Sequence, residues 1–97
     1  MGQNEKCSWD DAKCARNIAT HGYDFADVQE IFDGRFLITR QDARHDYGEF
    51  RYNSLVMFRD RLINVTFTPR RGKIHLISVR PASREERSFY HDKAESR

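Results

Sequence analysis

The chain has 97 residues, 38% hydrophobic, 12% aromatic and 33% charged, with a formal net charge of +2. A sequence of this size and balance is expected to fold as a single domain over residues 1–97 with one modest core, close to the length where stability becomes marginal. It holds no apolar run near the roughly 20 residues that span a bilayer, and its start, MGQNEKCSWDD, offers no apolar signal segment and puts Lys6 where a myristoylation motif wants Ser or Thr. The expected location is cytoplasmic, with no membrane partner.

The charge is unevenly spread. Residues 1–50 carry 6 Lys/Arg against 10 Asp/Glu, a net of −4; residues 51–97 carry 11 against 5, a net of +6, and together these return +2. A basic C-terminal half on a small domain points to a polyanion, nucleic acid first, with a solvated basic surface as the plain alternative. Cys7 and Cys14 form no C-x-x-C and have no histidine at ligand spacing, so they read as ordinary thiols.

In chain order, Ser8-Trp9-Asp10-Asp11 has capping-box spacing, and a first helix is expected from there to Thr20. Ala12, Ala15, Ile18 and Ala19 recur at helical spacing as its apolar stripe. Gly22 stops it, with His21 in the last turn, where the helix dipole favours the protonated imidazole. Asp24 begins a second helix, Phe25 to Phe32, on Phe25, Val28, Ile31 and Phe32. Phe36 to Thr39 reads as a strand, and Arg40 to Gly48 as a polar loop holding Asp42, His45 and Asp46.

A second strand is expected over Glu49–Phe58, a tight turn at Arg59-Asp60, and a third strand over Leu62–Thr68. Ile63, Val65 and Phe67 of that strand face one way, and Leu62, Asn64, Thr66 and Thr68 the other. Pro69 to Gly72 is a turn. A fourth strand carries Ile74, Leu76, Ile77 and Val79 to Pro81, after which Ser83 and Glu86 cap a last helix. The expected class is α+β: two N-terminal helices, a four-stranded antiparallel sheet and a C-terminal helix. Arg80 ends the last strand, where a fixed cation can meet an anionic substrate; pairing with Glu85 or Glu86 is the structural alternative.

The ordered set Trp9-Asp10-Asp11-Ala12-Lys13, Asn17, His21-Gly22, Phe25, Phe32-Asp33, the loop Asp42 to Gly48, Glu49, Arg51, Thr68, Ile77-Ser78-Val79-Arg80, Glu86-Arg87 and Tyr90 resembles the BrnT-type toxins over residues 8 to 90. The resemblance implies a RelE-like fold, a ribonuclease toxin of a type II toxin–antitoxin pair, and a BrnA-type ribbon-helix-helix antitoxin as partner. Operator DNA is then met only indirectly, through the antitoxin. Several positions depart from the pattern. Thr20 stands where a lysine is usual, Val56 and Asp60 replace glycines, and His75 and Pro81 replace arginines, so three of the changes remove basic charge from the expected RNA face.

Metal-free RNA cleavage needs a base for the 2′-OH, cations for the phosphorane and an acid for the leaving 5′-oxygen. Arg80 and Arg51 are the candidate phosphate clamps, because guanidinium binds phosphate through two parallel bonds and keeps its charge. Glu49, His21 and His75 compete for acid and base. Arg59, Arg61, Arg70, Arg71, Lys73 and Arg84 make up the expected RNA surface, with Tyr90 offered for stacking against the alternative of helix packing. No metal or other cofactor is expected. A second class of function stays open, a non-catalytic module that binds the antitoxin and co-represses the operon.

Overall fold

The computed structural model describes residues 2–3, 6–42 and 48–96. The expected loop residues His45 and Asp46 lie outside the described residues.

The N-terminal residues form strands before any helix. Cys7 and Trp9 are buried, and the segment Cys7–Trp9 (β2) completes the sheet, with Gly2–Gln3 (β1) antiparallel to it. Because Cys7 and Trp9 are drawn into the core, Ser8 is held in a strand and the helix cap falls on Asp10. The Asp10 carboxylate accepts from the Lys13 backbone N–H at 3.0 Å and starts helix α1, Asp11–His21. Gly22, at φ 82°, closes α1 by donating to the Ile18 carbonyl at 2.8 Å, a left-handed position that suits glycine.

The face that α1 buries differs from the expected stripe. Ala12, Ala15, Ile18 and Ala19 are exposed, and Cys14 and Asn17 go inside. Asn17 Nδ2 donates to the Tyr23 carbonyl at 2.9 Å, and its Oδ1 accepts from the Val79 N–H at 2.9 Å. The helix is thus fastened to a strand through polar contacts that a hydrophobic-periodicity argument does not see. The second helical segment is shorter than expected: one turn, Phe25–Val28 (α2), capped by Asp24 on the Ala26 N–H at 2.9 Å, then a 3₁₀ turn over Gln29–Ile31.

Four strands follow: Leu37–Asp42 (β3), Arg51–Phe58 (β4), Arg61–Arg70 (β5) and Lys73–Pro81 (β6), and then helix α3, Arg84–Ser96. The four pair antiparallel in sequence order. Two-residue turns join β4 to β5 and β5 to β6. Arg59 and Asp60 in the first, and Arg71 and Gly72 in the second, all have positive φ, the geometry that matches strand twist. Pro69 belongs to β5 and not to the turn, beyond the last residue that β4 pairs, where a strand can spare an N–H.

The sheet order is β1-β2-β6-β5-β4-β3, six strands with β2 parallel to β6. The expected four-stranded antiparallel sheet with two full N-terminal helices is therefore replaced by a mixed α+β sheet. The missing strands are two and three residues long, too short for a strand pattern to register in sequence.

One sheet face carries Val56, Phe58, Ile63, Val65, Leu76 and Val79, and packs with Phe25, Val28 and Ile31 into the main core. The opposite face is divided. Leu55 and Leu62 are covered by Tyr90 of α3 and by Ala82 just ahead of that helix. Further along the same strands the outward positions turn polar, and Ser8, Asn64, Thr68 and His75 among them are buried polar groups.

Candidate functional site

Strand alternation places Ser8, His75, Thr68 and Arg51 in register across β2, β6, β5 and the start of β4 on the divided face. His75 is 4% exposed, and its Nδ1 lies 2.8 Å from Ser8 Oγ. Burial is the main force holding the imidazole below its ordinary pKa, with the nearby Arg70 charge adding to it and Glu49 opposing. His75 is thus neutral around pH 7.

Glu49 enters this group from the residues ahead of β4. Its two oxygens accept from Arg70 Nη2 at 3.1 and 3.0 Å, and Arg51 Nη2 stands 3.9 Å away. The Arg70 hydrogen bond, helped by the charges of Arg70 and Arg51, holds the Glu49 carboxyl below its usual range. Thr68 Oγ1 donates to the Phe50 carbonyl and ties this segment to β5. The structure therefore gathers four residues named from sequence: Glu49, Arg51, Arg70 and His75. The turn residue Arg71 and Lys73 stand at the same end of the sheet.

Arg80 sits five residues further along β6, roughly 15 Å at strand rise. Its guanidinium makes a fork with Glu86, Nη1 to Oε1 at 2.8 Å and Nη2 to Oε2 at 3.0 Å, and Nη1 also donates to the Pro81 carbonyl at 3.1 Å. Of the two partners weighed from sequence, Glu86 is the one it takes. Glu86 further accepts from the Ser83 N–H at 2.9 Å, closing the expected capping box, and from Asn64 Nδ2 at 2.7 Å. Burial pushes the Glu86 carboxyl up, but these bonds together outweigh it and hold the pKa at about 2. Arg40, above the Phe89 ring at 4.9 Å, and Asn53 complete a second group beside the first.

Other expected residues are dispersed. His21, at the end of α1, lines a groove with Lys13, Arg16, Thr20 and Ser78, and no contact joins it to Glu49. Arg59 pairs with Glu30 at 2.9 Å and lies over the Phe58 ring, on the side of α2. Arg61 starts β5 beside that turn, and Arg84 is exposed at the start of α3. Tyr90 is 6% exposed and packs on Phe36 with ring centres 5.4 Å apart, so it holds α3 down and offers no free stacking face.

Asn53, Asn64 and Ser8 escaped the sequence reading. The signal for two of them was present: asparagine is a poor strand former, yet one stands in the middle of each of β4 and β5. Ser8 read only as a helix cap, because its contact with His75 depends on β6 lying alongside. Among the described residues no three of His, Cys, Asp or Glu are grouped to hold a metal ion.

The profile of the family described as ribonuclease toxin, BrnT, of type II toxin–antitoxin system matches residues 9–86, most of the chain. No individual curated protein matches it.

Proposed function

The chain belongs to the BrnT ribonuclease toxins of type II toxin–antitoxin systems, and we propose that it cleaves RNA as a metal-independent endoribonuclease on the polar half of its divided sheet face. The observation that carries this reading is the convergence of Glu49, Arg51, Arg70 and His75 at one end of that face. Two guanidiniums beside an ionised carboxylate suit a phosphate that gains charge in the transition state. Glu49 orients them.

His75 supplies the base. In this mechanism His75 holds its proton on Nδ1 and donates it to Ser8 Oγ, which leaves Nε2 unprotonated to take the proton of the 2′-OH as that oxygen attacks phosphorus. The resulting imidazolium then returns the proton to the leaving 5′-oxygen. The products are a 2′,3′-cyclic phosphate and a 5′-hydroxyl, and no proton is gained or lost overall. Arg80, locked to Glu86, acts as a support for the RNA-bearing face in this state rather than as a free clamp.

A type II toxin works against a protein antitoxin, and the proposed partner here is a BrnA-type ribbon-helix-helix protein in the cytoplasm. The test uses the purified chain with single-stranded RNA in EDTA. Cleavage leaving a 2′,3′-cyclic phosphate, lost by at least a hundredfold in His75→Gln and Arg70→Ala, is the expected result. Activity abolished by EDTA overturns metal independence. No product from the chain alone overturns catalysis and leaves the antitoxin-binding module.

A further inference from the structure

The group around Arg80 has a different chemistry from the group around Glu49. Its cleft, about 260 Å³, is lined by Arg40, Asp42, Asn53, Asn64, Arg80 and Glu86, drawn from β3, β4, β5, β6 and α3. Two cations face two carboxylates, so the formal charge of the cleft is zero. The neighbouring end of the sheet, with Arg51, Arg70, Arg71 and Lys73 against Glu49, is positive. A phosphate belongs at that positive end and is repelled by the carboxylates of the neutral one.

The cleft is instead rich in groups that read a neutral polar edge. Its orientation is settled at Asn64: a carboxylate only accepts, so the Nδ2 bond to Glu86 at 2.7 Å turns Oδ1 away as an acceptor. Asn53 is likewise held, its Oδ1 accepting from Thr66 Oγ1 at 2.7 Å. Glu86 is itself filled, each oxygen already accepting two bonds from Arg80, Ser83 and Asn64, so Asn64 Oδ1 is the acceptor that this corner presents. The cleft is smaller than the ~300–1,000 Å³ of sites for drug-sized ligands, which suits one planar ring. It also lies on the same sheet face as His75, with Arg80 five residues along β6 from it, roughly 15 Å at strand rise.

We propose that the cleft between β3 and α3 is a base-reading subsite that takes one nucleobase bearing an exocyclic amino group, with Asn64 as its specificity-determining acceptor and Asn53 beside it. Adenine, cytosine and guanine carry such an amino group; uracil carries none and offers Asn64 only its ring N3–H, set between two carbonyl oxygens, so it is disfavoured. The inference rests on the ribonuclease reading for its ligand, a single RNA strand crossing the polar half of the face.

Binding to uncleavable 2′-O-methyl oligomers tests it apart from catalysis. An all-uridine oligomer is compared with oligomers carrying a single central adenosine, cytidine or guanosine. The wild-type chain is expected to favour at least one amino-bearing base over uridine by roughly five- to a hundredfold. In Asn64→Ala that ratio should collapse to within about twofold, with Asn53→Ala, whose side chain does not touch Glu86, giving a partial collapse. Thermal melting shows that each variant is folded; an unfolded Asn64→Ala leaves the decision to Asn53→Ala. Equal binding of all four oligomers, or a ratio that survives in the folded variants, overturns the proposal. The 2′-hydroxyl versions of the same oligomers report cleavage in parallel. Cleavage without a base ratio sinks the subsite alone, a base ratio without cleavage sinks the catalytic reading alone, and no binding of any oligomer sinks both.

Discussion

Arg80 and Glu86 show how one residue's partner sets its role. With two parallel bonds and Glu86 only 17% exposed at its side chain, the pair is stronger than a surface bridge, though the half-exposed Arg80 limits it. Arg80→Ala should cost about 1–2 kcal/mol, leaving Glu86 held by Ser83 and Asn64. Arg80→Lys keeps the charge but loses the fork, and should recover less than half of that cost; urea unfolding measures both. The same pair predicts a pH effect. The folded pKa of Glu86, about 2, lies below its ordinary 4.5. Its contribution is therefore complete above about pH 4.5 and is lost as pH falls toward 2. Measured against Glu86→Gln, wild-type stability should hold a lead at pH 6 that narrows steadily between pH 5 and pH 2. A gap independent of pH would show that the carboxylate charge is not what stabilises this corner.

At the scale of elements, α1 is held by Asn17 more than by an oily face. Replacing it with alanine leaves the buried Val79 N–H and Tyr23 carbonyl without their side-chain partner, at about 2–4 kcal/mol. On a domain of this size that is a fall in melting temperature of roughly 10–20 °C. Asn17→Asp keeps an acceptor for Val79 and loses the donor to Tyr23, so it should fall between; an alanine variant that melts like wild type refutes the polar anchor. This is also where sequence legibility ends. The turn at Arg59-Asp60, the alternation in β5, the Gly22 stop and the Ser83–Glu86 cap are encoded by neighbours in the chain, and each was readable. The rotation of α1, the parallel pairing of β2 with β6 and the Ser8–His75 contact depend on residues more than 60 positions apart, and no local pattern carries them. The site divides in the same way. Glu49, Arg51, Arg70 and His75 were legible by residue type, whereas the split into a charged end and a neutral cleft needed the register of four strands.

For the molecule as a whole, the basic half of the sequence does not become one basic surface. Arg59 pairs with Glu30 at the helical side and Arg80 with Glu86, while Arg51, Arg70, Arg71 and Lys73 lie together, with the single carboxylate Glu49 between Arg51 and Arg70, at the end of the sheet that holds His75. RNA affinity should therefore depend on salt less steeply than the +6 of residues 51–97 suggests. With three to five phosphates engaged, the log–log slope comes to roughly −2 to −3.5 at about −0.7 per phosphate. Two substitutions divide the surface. Both Arg59 and Arg71 sit at positive φ in two-residue turns, so asparagine, which tolerates that geometry, removes the charge with little strain. Arg71→Asn should flatten the slope by about 0.7, and Arg59→Asn should leave it within error. Equal flattening in both would mean that RNA runs over the helical side as well, and the polar sheet face would lose its claim to be the RNA path.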